Sequence, residues 1–221
     1  MKKNGPFKIG LTGGIGAGKS QVLGFLRQMG IPVLQADEIG HHLLQKKSFS
    51  KKLTGLFGRG IIRSGGRIHR ARLAQEVFSK PSQRLKLNRL MHPAIWWEVN
   101  EWFKNQANSP HSKQMVVVEV PLLFEGGFNR WFDGVLCISS SRAIRHKRLR
   151  QRGWNAKEIR RRELAQWVQK RKNAASDWVI YNHGSRKRLK YAVRRWFKMV
   201  QRRFPINGAN FSRPMKIAKK G

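Results

Sequence analysis

The segment Gly13-Gly14-Ile15-Gly16-Ala17-Gly18-Lys19-Ser20 fits the spacing G-x-x-x-x-G-K-[ST]. Glycines in this pattern let successive backbone N–H groups turn toward one point, the following helix adds the partial positive charge of its N-terminus, and the lysine reaches the same place. The loop is a phosphate cradle. Lys19 is placed to clamp the outer phosphates, Ser20 to offer its hydroxyl to magnesium, and Gln21 opens the helix behind them. Two carboxylates stand where further chemistry is expected. Asp37 follows the apolar stretch 31–34 and reads either as a reactive group at a strand's end or as a helix N-cap. Glu119 lies inside the β-branched run 115–120, where an unpaired charge is costly, and reads as a magnesium-positioning group or as half of a buried ion pair.

These residues need elements to hold them. Phe7, Ile9 and Leu11 make a short apolar strand before the glycines, and Val22, Leu23, Leu26 and Met29 recur at helical spacing after them, with Gly30 and Pro32 as a stop. Further strands are expected at 31–34, 115–120, 135–138 and 178–181. Helical patterns run from Arg67 through Ile68, Ala71, Ala74 and Phe78, from Leu85 past His92-Pro93 to Phe103, from Arg142 to Arg152 after a serine cap, continuously over 156–172, and from a turn at 182–185 to Arg203. Residues 41–66 give no clear reading, and 105–114 is a polar loop. The order predicts an α/β fold: a five-stranded parallel, doubly wound sheet with an all-helical insertion after the second strand and a basic helical segment after the fourth.

With 47 Lys+Arg against 11 Asp+Glu, the chain of 221 residues carries a formal charge of +36. Non-specific binding to polyanions such as nucleic acid is expected at low salt, through counterion release. The basic residues are spread along the whole chain, which points to a biased surface composition more than to one binding element. The single cysteine, Cys137, sits in an apolar run and excludes an intrachain disulfide. Lys2 and Lys3 resemble the start of a signal peptide, but the apolar run behind them is short and broken, and no stretch approaches membrane-spanning length. A cytoplasmic protein without a membrane partner is the expectation.

Several local signatures fall in one order along the chain. They are residues 9–20 (IGLTGGIGAGKS), Ala36-Asp37-Glu38-Ile39, 70–78 (RARLAQEVF), Leu87-Asn88, His92-Pro93-Ala94-Ile95, Val120-Pro121-Leu122-Leu123-Phe124-Glu125, Asp177-Trp178-Val179-Ile180 and Asn182-His183-Gly184. Together they resemble the dephospho-CoA kinase family. The resemblance implies a P-loop kinase-like fold and magnesium-assisted transfer of the ATP γ-phosphate to the ribose 3′-hydroxyl of dephospho-CoA, the last step of coenzyme A synthesis. Carried over residue by residue, it implies that Gly14, Ile15, Gly16, Ala17, Gly18, Lys19, Ser20 and Gln21 hold ATP, with Asn182, His183 and Gly184 beside the adenine. Asp37 matches the carboxylate that orients and deprotonates the acceptor hydroxyl. His92, Pro93, Pro121, Leu122, Leu123, Phe124 and Glu125 match the acceptor side. Arg148 and Arg152 fall in the segment resembling the lid, where guanidinium groups steady the transferring phosphoryl charge. Ser20 and Glu119 are the metal candidates.

The implied division is a nucleotide-binding core (1–40, 113–141 and 174–204), a helical acceptor-binding insertion (41–112), a basic lid (142–173) and an unstructured tail (205–221). A nucleoside or nucleotide kinase of similar fold and a P-loop nucleic-acid-binding protein are the alternatives. The late helix departs from the resemblance: Gln169-Lys170-Arg171-Lys172 is neutral or basic where relatives carry an acid. The seven histidines lack metal-ligand spacing, and His41-His42 reads as a helix face. The eight tryptophans read mostly as core or helix packing, and the last helix as a solvated basic face over a stripe of Val193, Trp196, Phe197 and Val200.

Overall fold

A computed structural model describes residues 5–63, 65–79, 81–109 and 115–203, without the side chains of Phe78, Ser79 and Pro81. The expected tail, 205–221, lies outside the described residues. The chain divides into two compact units, one formed by Met1–Leu34 with Gln106–Gly221 and the other by Gln35–Asn105.

The first unit is built on a five-stranded parallel sheet with helices around it, as expected. Its strands are β1 (Phe7–Gly13), β2 (Val33–Gln35), β3 (Met115–Glu119), β4 (Gly134–Ser139) and β5 (Trp178–Tyr181), in the order β2-β3-β1-β4-β5. β1 is central because it is buried on both faces, and β3, β4 and β5 are near-continuous apolar runs of the kind parallel sheets require. The strands that follow β1 are laid down first on one side and then on the other, so the crevice for a ligand opens at the end of β1. The register sets Leu11 beside Glu119 and Gly13 beside Ile138.

Alternation decides which helix covers which face. Ile9, Leu11, Val117, Leu136 and Ile138 join one core with Val22, Leu23 and Leu26 of α1 (Lys19–Gln28). Leu189, Val193, Trp196 and Val200 of the last helix, Arg186–Arg203, enter the same core, so the basic residues of that helix stay in water. On the opposite face Gly10 lies against Leu123 and Phe132, where an added Cβ would come within 2.6 Å of Leu123 Cδ1. The expected continuous helix over 156–172 is two helices, Ala156–Leu164 and Gln169–Ala175. The break has a cause: the Trp167 N–H donates to Glu125 Oε1 at 2.6 Å in place of a helix carbonyl.

The second unit holds α2 (Ala36–Leu43), α3 (Lys47–Phe57), α4 (Arg70–Ser79) and most of α5 (Pro81–Asn108). Its named elements are helical, as expected, and Ile62 and Ile68 add one isolated antiparallel bridge. α4 therefore starts after Ile68, and its buried residues are Leu73 and Val77 in place of the anticipated Ala71 and Ala74, the bulkier pair at i, i+4. α3 emerges from the stretch that gave no reading and buries Phe49 and Leu53, again i, i+4. α5 carries Pro93 in its interior, where one backbone donor is lost. Of the histidine pair in α2, both are exposed, in keeping with a helix face.

Gly134 begins β4 against the Trp178 ring, and a Cβ there would lie 2.4 Å from Trp178 Cζ3. Gly134→Ala overfills this contact and is expected to destabilise the protein by about 1–3 kcal/mol. A urea denaturation midpoint equal to that of the wild type would contradict this account of the packing.

Candidate active site

The loop after β1 is shaped by three glycines with positive φ, Gly13 at 145°, Gly16 at 76° and Gly18 at 104°. Each is also sterically necessary. A Cβ on Gly13 would sit 2.3 Å from the Ile138 carbonyl oxygen, and one on Gly18 would sit 2.3 Å from Asn182 Nδ2. The Ala17 N–H closes a turn on the Gly14 carbonyl at 3.1 Å, and α1 starts at once with Lys19 and Ser20, whose N–H groups have no helical acceptor.

Turning N–H groups inward turns carbonyls outward, and each outward carbonyl meets a donor. Lys19 Nζ donates to Gly13 O at 3.0 Å and Gly14 O at 3.4 Å. Arg145 Nη1 donates to Ile15 O at 3.3 Å, and Arg148 Nη1 to Gly16 O at 3.4 Å and Ala17 O at 3.3 Å. Ala17 O also accepts from Asn182 Nδ2 at 2.9 Å. The loop's leading N–H groups are held as well, Gly14 N–H by Gln169 Oε1 at 3.0 Å and Ile15 N–H by Gln166 Oε1 at 3.2 Å.

Arg145 and Arg148 come from α6 (Arg142–Arg150), which Ser141 caps by accepting from the Ile144 N–H. Arg148 is further tied to Ser140 Oγ at 3.1 Å and Asn182 O at 3.2 Å. Burial, and then the charge of Arg152, lower its pKa from the ordinary guanidinium value. Arg152 itself is exposed just past the helix. Arg145 is nearly buried and pairs with Glu163 at 2.9 Å, at the end of α7 (Ala156–Leu164). Glu163 also meets Arg142 at 3.4 Å and His146 at 3.1 Å. Burial raises the Glu163 pKa, but the His146 hydrogen bond and the charges of Arg145, His146 and Arg142 outweigh it and hold the carboxyl below its ordinary value.

The structure brings Glu119 and Lys19 together at 3.9 Å, both nearly buried, while Ser20 is exposed at the mouth of the loop. Of the residues expected beside the adenine, Asn182 is buried under the loop, whereas His183 is exposed and stacks on Tyr181 with ring centroids 5.7 Å apart. Gly184 is backed by Arg188. Of the residues expected to face the acceptor, Leu123 and Phe124 are buried and Leu122 is exposed. Pro121 O accepts from Thr12 Oγ1 at 3.3 Å and from Lys172 Nζ at 2.7 Å, and Glu125 pairs with Lys172 at 2.9 Å.

Asp37, His92 and Pro93 belong to the other unit. Asp37 is the second residue of α2, so the cap position falls to Gln35 and the N-cap reading of Asp37 does not hold. Its carboxylate stands in a first helical turn, a favourable place for negative charge. His92 is half-buried in α5, and burial lowers its pKa. Asp177 is spent on structure, since its carboxylate accepts from Val135 N–H at 2.8 Å. Burial pushes the Cys137 thiol up to about 11, which leaves it protonated and inert at neutral pH. Sequence reasoning did not single out Arg145, Gln166, Gln169 or Lys172. Only the departure noted at 169–172 pointed toward that stretch.

The family description for dephospho-CoA kinase matches residues 7–188. The chain belongs to the dephospho-CoA kinase family. It is 37% identical over 180 residues to a dephospho-CoA kinase of Geobacillus kaustophilus, covering 80% of this chain and 89% of that one. It is 36% identical over 183 residues to one of Arabidopsis thaliana, covering 80% and 76%. A crystal structure from Thermus thermophilus superposes with a TM-score of 0.77 at 32% identity, over 90% of this chain and 98% of that chain. The matched span, 7–188, runs from β1 into the last helix and so contains the glycine loop and α6.

Glu163 gathers Arg142, Arg145 and His146, and of these Arg145 supports the loop through the Ile15 carbonyl. Glu163→Gln is expected to cost about 1–2 kcal/mol of stability at neutral pH. A carboxyl with a depressed native pKa contributes stability above its unfolded value, and that contribution is lost as pH falls through the native value, so the variant and the wild type should converge in acid. Denaturation curves at neutral and acid pH that keep a constant separation would contradict this.

Proposed function

We propose that the chain transfers the γ-phosphate of ATP to the ribose 3′-hydroxyl of dephospho-CoA, with Asp37 as the general base and Lys19 as the phosphate clamp. The observation that carries the donor half is the glycine loop with its carbonyls pinned outward and Lys19 at its base. Phosphoryl transfer asks a protein mainly for positioning and charge neutralisation, and this loop provides both. Asp37 takes the hydroxyl proton as the new O–P bond forms and the bond between the β- and γ-phosphates breaks. Arg148 keeps the loop in shape through its carbonyls, and Arg152, exposed beside it, is the lid arginine left to meet the transferring charge. The 121–125 loop and His92-Pro93 serve the acceptor, and residues 182–184 the adenine.

The donor set suits magnesium: a serine hydroxyl and one carboxylate leave room for phosphate oxygens and water, as that ion prefers. Ser20 and Glu119 would hold it, and when bound it would neutralise charge on the phosphates. Among the described residues there is no cluster of three or more His, Cys, Asp or Glu that would suggest another metal. No described helix is long and apolar enough to cross a membrane; a cytoplasmic location is part of the proposal.

Purified protein with ATP, magnesium and dephospho-CoA should form coenzyme A, and a panel of nucleosides and nucleotides as acceptors should be poor substrates. No product from folded, ATP-binding protein would refute the activity. Asp37→Asn is expected to lower kcat by about a hundredfold with ATP affinity unchanged. Nucleic acid should bind at low salt and dissociate near physiological salt, because the +36 charge acts through counterion release. Salt-resistant, ATP-linked binding to one nucleic-acid sequence would instead support a nucleic-acid-binding role.

A further inference from the structure

Lys172 has no exposed surface at all. Taking an ammonium group out of water is expensive, and an apolar side chain of the same length would fill the space at lower cost. What the lysine supplies is direction: Nζ donates to Pro121 O at 2.7 Å and pairs with Glu125 Oε1 at 2.9 Å. The same Glu125 oxygen accepts the Trp167 N–H, and the Phe124 and Trp167 rings stack with centroids 5.6 Å apart and planes 9° from parallel. The 121–125 loop is thus fastened at both ends to the start of α8 (Gln169–Ala175) and the residues before it. Thr12, the residue ahead of Gly13, donates to the same Pro121 carbonyl at 3.3 Å.

Gln169 lies three residues before Lys172, on the same side of this short helix. Its Oε1 accepts the Gly14 N–H at 3.0 Å, while its Nε2 donates to Ile138 O at 3.3 Å and Asn173 Oδ1 at 2.8 Å. Asn173 in turn donates to Ser139 Oγ at 3.1 Å, at the end of β4. One helix of 7 residues therefore grips the phosphate loop through Gln169 and the 121–125 loop through Lys172, and is itself anchored on the sheet.

We propose that α8 is a spacer that sets the separation of the donor loop and the acceptor-facing loop, with Gln169 and Lys172 as its positioning residues. The acceptor role of residues 121–125 is taken from the proposed function above. α8 then belongs to the fixed framework of the site, and closure over the nucleotide is confined to the part of the 142–173 segment before it. A neutral amide at Gln169 suits a backbone N–H of the phosphate loop, where a carboxylate would set negative charge beside the phosphates.

The test separates the two grips. Lys172→Met/Glu125→Gln removes both charges, so no buried ion is left unpaired, and is expected to raise the KM for dephospho-CoA about tenfold or more while the KM for ATP stays within about twofold. Gln169→Leu should show the reverse pattern, a raised KM for ATP with the dephospho-CoA KM little changed. A merely structural role would lower the melting temperature and the active fraction without splitting the two constants. Wild-type values for both constants in the two variants, or equal increases in both, would overturn the proposal. A wild-type protein that makes no coenzyme A would instead refute the activity on which it rests.

Discussion

A loop that aims its N–H groups at one point must aim its carbonyls elsewhere, and buried carbonyls need donors. Much of the first unit answers to that constraint. Residues far apart in sequence converge beneath Gly13 to Ala17: Lys19 from the adjoining helix, Arg145 and Arg148 from α6, and Asn182 from the turn after β5. Ser140 joins them by donating to Asn182 O at 2.6 Å, which fixes the carbonyl that Arg148 also binds. The glycines are needed on both counts, for their backbone angles and because Ile138 and Asn182 approach where a Cβ would be. The shape of the loop is thus a property of the whole sheet edge, held by side chains drawn from α1, α6 and the turn after β5.

In a chain with 11 acidic residues against 47 basic ones, where the acids stand carries information. Glu163 gathers Arg142, Arg145 and His146; Glu125 neutralises a fully buried lysine; Glu119 faces Lys19. Asp133 and Asp177 accept from the backbone N–H groups of Lys8 and Val135, tying strand starts together. Each is used where an unpaired cation or an unpaired donor would otherwise lie in a low dielectric. The exposed basic faces need no such partners. The last helix illustrates this, with Leu189, Val193, Trp196 and Val200 in the core and its arginines and lysines in water.

Local sequence determined what short-range physics can determine. Glycine spacing, strand runs and the family signatures identified the phosphate loop, the five-stranded parallel sheet and the family, because backbone freedom and short apolar runs are written in adjacent residues. Local pattern misjudged places where a distant partner overrides it. The helix expected over 156–172 breaks because the Trp167 N–H finds Glu125. Ile68 is taken from a helix by its bridge to Ile62. Tryptophans expected mostly in the core or packed on helices divide, with Trp96, Trp178 and Trp196 buried and Trp97 and Trp131 exposed. What only the tertiary structure decided is which of many similar side chains does which task. Arg142 to Arg152 look interchangeable in sequence, yet two of them reach the loop carbonyls, and Gln166, Gln169 and Lys172 gain their roles from partners more than 30 residues away. A guanidinium or an amide is the same donor everywhere along the chain, and its meaning is fixed only by the acceptor that folding sets in front of it.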